Sequence, residues 1–513
     1  MCVLDGATEV VVNRFKALQP IFRTKCIQPM PVERQTRVRW LDGVVSKAPG
    51  YLLERLEPFC GPYFMKSGSQ RSVKLSVDKM DKLPVRTYRD RPEWQTTKRF
   101  VDQMVDTLMR DLGVSNMEDV IKTMALKASA GLVFGLAGCK TKAEALLHDK
   151  IFEYILTDPR LHDTPLWKVV AKIEWGLDVE IDADKVRTFI VPPVDLVLWT
   201  KICYDNQNTA LKNWWWSAYG FNPYNGGTNR LVQELTVHDH FFYYDVKGWD
   251  RMLPIMRMVH RRRVRNVPLS YRGFAEWCST HCCSSFLVLP DGTVVYKTWG
   301  NNSGSATTTG DNILCHLYVA FCCLFKYYGD TDVAMSCVLR IFGDDNVMSL
   351  PYLVKDEAHL KRTFQKVYGW FGLELDPLVY TQNIEEVEFL GFKPKLSPSG
   401  YVPLYNIGRI AASFKYVIEK HSVEASFAKA WSLVIMAAPG PEEVFDTMVE
   451  ILKHVCVSFK HSTNPVVKSY INFGVPVRSE CITFMLGLEG APGWMEGFKM
   501  YDLHNEFFKS CKD

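Results

Sequence analysis

Hydrophobic and polar positions divide the chain into stretches of different rhythm. Residues 1 to about 120 are mixed, punctuated by proline and charge in PMPVERQTRVRW and LPVRTYRDRPEW. Their weak periodicity predicts a segment that wraps over other parts of the fold. The middle is more regular. FFYYDV (241–246) is an aromatic run ending in an acid and predicts a strand, and the MLPIMRMVHRRRVR that follows predicts a helix. After Ser303-Gly304, residues Leu314, Leu317, Tyr318, Phe321, Leu324, Phe325 and Tyr328 recur at helical spacing. SCVLRIF, GDDN and VMSLPYLV read as strand, tight turn, strand. DEAHLKRTFQKVYGWFG predicts a helix that stops at Gly369 or Gly372. From about residue 405 the pattern turns helical. Pro439-Gly440-Pro441 breaks one helix, and the next puts Val444, Phe445, Met448, Ile451, Leu452 and Val455 on one face. A mixed α/β centre followed by a helical C-terminal unit is the expected organisation.

Composition narrows the class. At roughly 150 residues per domain, 513 residues predict about three subdomains. Hydrophobic residues make up 47% and charged residues 23%, which is globular. The net charge is only +4, so any nucleic acid must be held in a local groove. The fifteen cysteines, several adjacent, form no disulfide framework and read as reduced thiols buried in a cytoplasmic enzyme. Cys278, His281, Cys282 and Cys283 form the tightest cluster, a crowded candidate for zinc. The start has no apolar core of signal-peptide length, and no uncharged apolar run reaches the ~18 residues of a membrane span. NWWWSAYGFNPYNGGTN (213–229) predicts a packed loop, with a base-stacking surface as the other reading. The densest basic run, His260 to Arg265, suits a solvated face or one that tracks an RNA backbone.

The chemistry concentrates at four places. Gly343-Asp344-Asp345-Asn346 sets two adjacent carboxylates at a hairpin tip, where they repel unless a divalent cation holds both ionised. Asp245 ends an aromatic strand; if that strand lies beside the hairpin, three carboxylates converge as ligands for two metals. Asp250 follows at a D-x4-D spacing, close enough to face a sugar held beside such metals. Between them, Gly300-Asn301-Asn302-Ser303-Gly304 leads into Ser305 to Asn312, a loop rich in small and hydroxyl residues that opens the long helix. Thr308 and Asn312, four apart, share one helix face.

The ordered set D-x4-D, SG-x3-T-x3-N, GDD and FLGF (Phe389 to Phe392) resembles palm motifs A, B, C and E of the RNA-dependent RNA polymerases of positive-strand RNA viruses. The GNNSG form is most similar to the picornavirus-like and astrovirus-like groups. Upstream, Lys127 to Gly131 resembles the template-guiding motif G. Lys172-Ile173-Glu174 with Lys185-Val186-Arg187 resembles motif F, which lies over the NTP channel. The resemblance implies that Asp245 and Asp344 ligate Mg²⁺, with Mn²⁺ as the substitute and Asp345 assisting. Asp250 and Asn312 would read the ribose 2′-hydroxyl, supported by Ser303 and Thr308, while Gly304 lets the loop flex. Lys185 and Arg187 would neutralise the triphosphate, and Ser129, Ala130 and Gly131 would touch the template.

The resemblance further implies an α+β right hand closed by N-terminal fingertips. The expected division is 1–120 for the N-terminal segment and fingertips, 121–235 and 271–300 for fingers, 236–270 and 301–400 for palm, and 401–513 for a helical thumb. RNA template, nascent RNA, NTPs and other viral replication proteins are the implied partners. Membrane-associated replication complexes in the host cytoplasm are the implied location. Two departures stand out. The motif F stretch carries Asp178, Glu180, Asp182 and Asp184, and the loop Asp376 to Thr381, where motif D would offer a lysine, has none. Lys366 on the preceding helix is a weak substitute, its other reading being a solvated helix face. The rivals are a reverse transcriptase, against which Asp250 argues, and a non-catalytic RNA-binding viral protein.

Overall fold

The structure, a computed structural model, describes residues 17–24, 28, 39–417, 422–492 and 495. Residues 1–16 and 29–38 of the expected N-terminal segment, and 496–513 of the expected C-terminal unit, lie outside the described residues. Helices and mostly antiparallel sheets alternate along the chain, an α+β architecture.

A four-stranded antiparallel sheet lies at the centre. Its order is β10 (Val338–Phe342), β11 (Asp345–Leu350), β7 (His240–Lys247) and β12 (Glu374–Thr381). Strand β7 is central, and its period-two alternation feeds two cores at once. Phe242, Tyr244 and Val246 pack into the cluster around the helix Thr308–Tyr328, whereas Phe241 and Tyr243 pack against the cluster built by the C-terminal helices. Beyond Tyr243 the second cover ends. Asp245 and Lys247, next on that face, therefore emerge into solvent.

The helix Thr308–Tyr328 is the core helix of the molecule; every residue from Gly310 to Phe325 is buried. Among the described residues it is the one helix long and apolar enough to cross a membrane, and its most apolar stretch is 89% buried inside the protein. A helix apolar on all sides is what such packing requires. The predicted break after Ala437 separates Val423–Ala437 from Glu442–Ser458, and all six face residues predicted on the latter are buried. Of the two candidate stops, Gly369 lies inside the helix Glu357–Trp370, and Gly372, at φ +73°, follows its end.

The second large sheet has the order β1 (Gln19–Arg23), β9 (Thr293–Lys297), β8 (Ser285–Val288), β4 (Leu166–Ala171) and β6 (Thr188–Val191), with only β4 and β8 parallel. Three two-stranded pairs complete the strands: β3 (Tyr63–Lys66) with β5 (Glu174–Leu177), β13 (Phe392–Ser397) with β14 (Gly400–Tyr405), and β2 (Trp40–Leu41) with β15 (Tyr416–Val417). The wrapping role predicted for the N-terminal segment is visible in β1 and β2. One joins the five-stranded sheet and the other reaches the C-terminal unit.

The loop at 213–229 is packed. Trp216 is buried and its segment bonds to Ile341 of β10, while Trp215 is half exposed. The zinc candidate is corrected. Cys278 meets Cys203 and Thr200, Cys282 lies 3.5 Å from Ser305 Oγ, and His281 packs edge-on to Trp277. On the helix Arg272–Cys283 the positions 278, 281 and 282 share a face, but these side chains meet different neighbours, and Cys283 lies off that face. Among the described residues no group of three His, Cys, Asp or Glu side chains forms a ready metal cage.

Candidate active site

The β10–β11 hairpin turns in two residues, since Phe342 pairs with Asp345. Gly343, at φ +67°, takes the first loop position, a conformation open to glycine without a Cβ penalty. Asp344 takes the second. The β11–β7 register runs Val347 to Tyr243 and Met348 to Phe242, and its continuation sets Asp345 opposite Asp245 on one face of the sheet. Asn346 Nδ2 donates to the Tyr244 carbonyl at 2.8 Å and locks that register.

Protein mass around the Asp245 carboxyl raises its pKa, and the facing Asp345 carboxylate raises it further. The Val246 N–H, Arg187 and Lys185 act in the opposite direction. Both motif F cations are thus within electrostatic reach of Asp245. Their acidic neighbours are accounted for. Lys185 Nζ donates to Glu180 at 2.9 Å, and Arg187 Nε lies 3.9 Å from Glu174. The buried Lys66 lies 3.0 Å from Glu174 and 3.3 Å from Glu180, and Asp184 lies 3.7 Å from Arg71. Asp178 opens the short helix Asp178–Asp182, and the Asp182 side chain lies outside the described ones.

One turn beyond Asp245, Asp250 accepts from Asn312 Nδ2 at 2.6 Å. Asn312 Oδ1 in turn accepts from Asn301 Nδ2 at 3.0 Å, and the Asn301 N–H donates to the Asp250 carbonyl at 2.6 Å. Thr308 Oγ1 donates to the Asn302 carbonyl at 2.7 Å. Lys297, 2% exposed, holds this loop from below through the Asn302 side chain at 2.9 Å and the Asn301 carbonyl at 3.3 Å. Ser303 Oγ accepts from the Ile190 N–H at 3.2 Å, which ties the loop to β6. Gly304 has a packing reason beyond the expected flexibility: a Cβ there would meet the Ile190 carbonyl oxygen at 2.1 Å.

Two expectations need revision, and for Lys366 one of its two readings holds. Ala130 and Gly131 are buried, Gly131 against Pro192 and Pro193, so of the motif G trio only Ser129 presents a side chain to solvent. The basic run is not an open surface. Arg263 is fully buried on Asp311 at 2.6 Å, His260 Nε2 lies 3.1 Å from Asp311, and Arg262 pairs with Asp102 and Asp106. Only Arg261 and Arg265 of the run are exposed. Lys366 sits on the exposed face of its helix, whereas Lys247, unremarked in the sequence, pairs with Glu374 at 2.8 Å and Asp376 at 2.9 Å. The roles of Asn301 and Lys297 were not legible in the sequence. The uncharged GNN run before Ser303 was the available signal for the first, but nothing in the sequence reveals what a lone Lys or His will face.

Comparison with known proteins now bears on the site. A family profile described as viral RNA-dependent RNA polymerase matches residues 82–455, well over half of the chain. The chain belongs to that family. It is 25% identical over 345 residues to the genome polyprotein of Plum pox potyvirus (strain SK 68), covering 62% of this chain and 10% of the polyprotein. Over 310 residues it is 25% identical to the genome polyprotein of Brome streak virus (strain German), covering 58% and 31%. The genome polyprotein of Watermelon mosaic virus II (isolate USA) is 26% identical over 290 residues, covering 52% and 27%. The chain spans about a tenth to a third of the length of these relatives. The resemblance drawn from motifs A, B, C and E is borne out at the level of the family.

Proposed function

We propose that this chain transfers nucleotides from NTPs onto a growing RNA, directed by an RNA template and releasing pyrophosphate, to replicate a viral RNA genome. One arrangement carries the reading: Asp245 faces Asp345 across the β7–β11 ladder while Asp250, one turn on, is hydrogen-bonded to Asn312. Hard carboxylate oxygens at the mouth of a cation-flanked strand end suit Mg²⁺, with Mn²⁺ as substitute. Mg²⁺ commonly takes one or two carboxylates and completes its shell with water and substrate phosphates, so a closed protein cage is not needed. Asp245 and Asp344 would hold the metals, with Asp345 assisting. When bound, such a pair lowers the pKa of the attacking hydroxyl and steadies the leaving oxygens.

The chain's own residues do the rest. Lys185 and Arg187, within electrostatic reach of Asp245, neutralise the triphosphate as charge grows on the leaving pyrophosphate. Asp250, oriented by Asn312 with Asn301, Ser303 and Thr308 behind it, reads the 2′-hydroxyl. Ser129 contacts the template. In this reading the fold is a right hand: fingertips within 1–120, fingers at 121–235 and 271–300, palm at 236–270 and 301–400, thumb at 401–513. The enzyme would work with other viral replication proteins at membrane-associated complexes in the host cytoplasm.

The test is incorporation by the purified chain on an RNA template with Mg²⁺. NTPs should be used in strong preference to dNTPs. Asp344→Ala should lower the rate by about 100-fold or more, and Asp250→Ala should relax NTP/dNTP discrimination about tenfold while synthesis continues. A wild-type preference for dNTPs would identify a reverse transcriptase instead. Synthesis that survives Asp344→Ala removes the metal role.

A further inference from the structure

The turn that carries Asp344 is open beside Gly343. Its two loop residues are Gly343 and Asp344, and a Cβ built on Gly343 would meet no atom within 4 Å. Packing therefore does not hold the turn on that side, and two adjacent carboxylates repel within it. A hydrogen bond from the core helix does hold it: His316 Nδ1 lies 3.0 Å from the Gly343 carbonyl oxygen. That oxygen can only accept, so Nδ1 carries the proton.

The ring itself is fixed. His316 is fully buried, its Nε2 lies 3.4 Å from the Tyr244 hydroxyl, and that hydroxyl lies 2.9 Å from the Tyr368 hydroxyl. The Trp249 ring covers it with a centroid separation of 4.8 Å. The peptide unit from Gly343 to Asp344 is planar, so aiming its carbonyl also aims the Asp344 N–H and Cα. His316 lies one helical turn beyond Asn312, and the two share a face. One rigid helix thus contacts the sugar-reading acid through Asn312 and the acidic turn through His316.

We propose that His316 is a positioning residue for divalent-cation binding: its Nδ1–H, by holding the Gly343 carbonyl, sets the direction in which the Asp344 carboxylate meets the cation. This rests on the metal assignment of the proposed function. Three substitutions separate the role from simple filling of space. His316→Asn keeps an amide N–H close to the Nδ1 position. His316→Gln carries its amide out toward the Nε2 position, and His316→Leu keeps only volume.

The experiment is Mn²⁺ binding to the full chain, read by the electron paramagnetic resonance of free Mn²⁺, with Asp245→Asn alongside and a thermal melt of each variant. Half-saturating Mg²⁺ for nucleotide incorporation is the second readout. His316→Gln and His316→Leu should weaken Mn²⁺ binding about tenfold or more, the usual scale for a residue that orients a metal ligand. His316→Asn should stay within about threefold of wild type. Loss of binding in Asp245→Asn together with wild-type binding in folded His316→Gln and His316→Leu overturns the proposal and leaves the metal assignment standing. Equal weakening in Asn and Gln variants overturns it as well, because a donor at the Nδ1 position would then not matter. Unchanged binding in Asp245→Asn overturns the metal assignment, and the proposal with it.

Discussion

Gly304 shows how a single missing methyl group shapes the site. Its ideal Cβ would lie 2.1 Å from the Ile190 carbonyl oxygen and 2.9 Å from a Pro192 side-chain carbon. Backbone atoms of β6 cannot yield cheaply, so Gly304→Ala must push the Asn301–Ser305 loop away from the strand. The Ser303–Ile190 hydrogen bond would lengthen with it. A stability loss of about 1–3 kcal/mol is expected, the scale of overpacking, together with a raised KM for NTPs. A urea midpoint and KM equal to wild type would contradict this. Gly343 is the opposite case. Space around it is open, and only its φ of +67° calls for glycine. Both residues were singled out in the sequence, but the reasons differ, because steric approach is invisible until strands meet.

At the scale of elements, the first turns of the core helix depend on a buried charge cluster. Arg263 donates to Asp311 at 2.6 Å and to Asn208 at 2.7 Å, and His260 completes the group. Burial pushes the Asp311 carboxyl up, but His260 and Arg263 together hold it well below the usual carboxylate range. Burial pushes His260 down most strongly of any single influence, but Asp311 and Cys283 together outweigh it, so the imidazole stays protonated well above its usual range. The signs follow from linkage. The His260 contribution is fully present below the ordinary histidine pKa and is lost as pH rises through the raised folded value. The Asp311 contribution is present above the ordinary aspartate pKa and is lost as pH falls toward the depressed one. His260→Gln should therefore flatten the decline of thermal stability between about pH 6.5 and pH 9. A decline as steep as in wild type would refute the assignment. Asp311→Asn, which leaves Arg263 buried without its partner, should cost about 3–5 kcal/mol in a urea titration. His260 and Arg263 fell within a run legible only as basic, because charge count does not reveal which side of a helix faces inward.

At the scale of the whole molecule, the N-terminal segment links distant parts. Strand β1 pairs with β9, and β2 pairs with β15 just before the C-terminal helices. Asp42, fully buried, accepts from the Val44 N–H at 2.8 Å and ion-pairs with Lys429 at 2.8 Å on the helix Val423–Ala437. Asp42→Ala would leave that lysine largely buried without its carboxylate. A loss of about 3 kcal/mol is expected, with Mn²⁺ binding by the folded protein unchanged. An unaltered urea midpoint would show that the link carries no stability. The weak periodicity of residues 1 to 120 made a wrapping role legible but not its partners, since short edge strands take their register from whatever surface they meet.

The sequence by itself determined the local elements and the chemical kinds of residue. An aromatic run made β7 a strand, glycine made the hairpin turn in two residues, and the spacing of Asp245 and Asp250 put the second acid just past the strand's end. Tertiary structure decided which groups meet. It set Asp345, rather than Asp344, opposite Asp245, put Lys185 and Arg187 within electrostatic reach of that acid, and buried Arg263 where an open basic face was one expectation. Local rhythm depends on neighbours a few residues away. Register across strands a hundred residues apart depends on burying both faces of β7 at once, and only the assembled cores satisfy that condition.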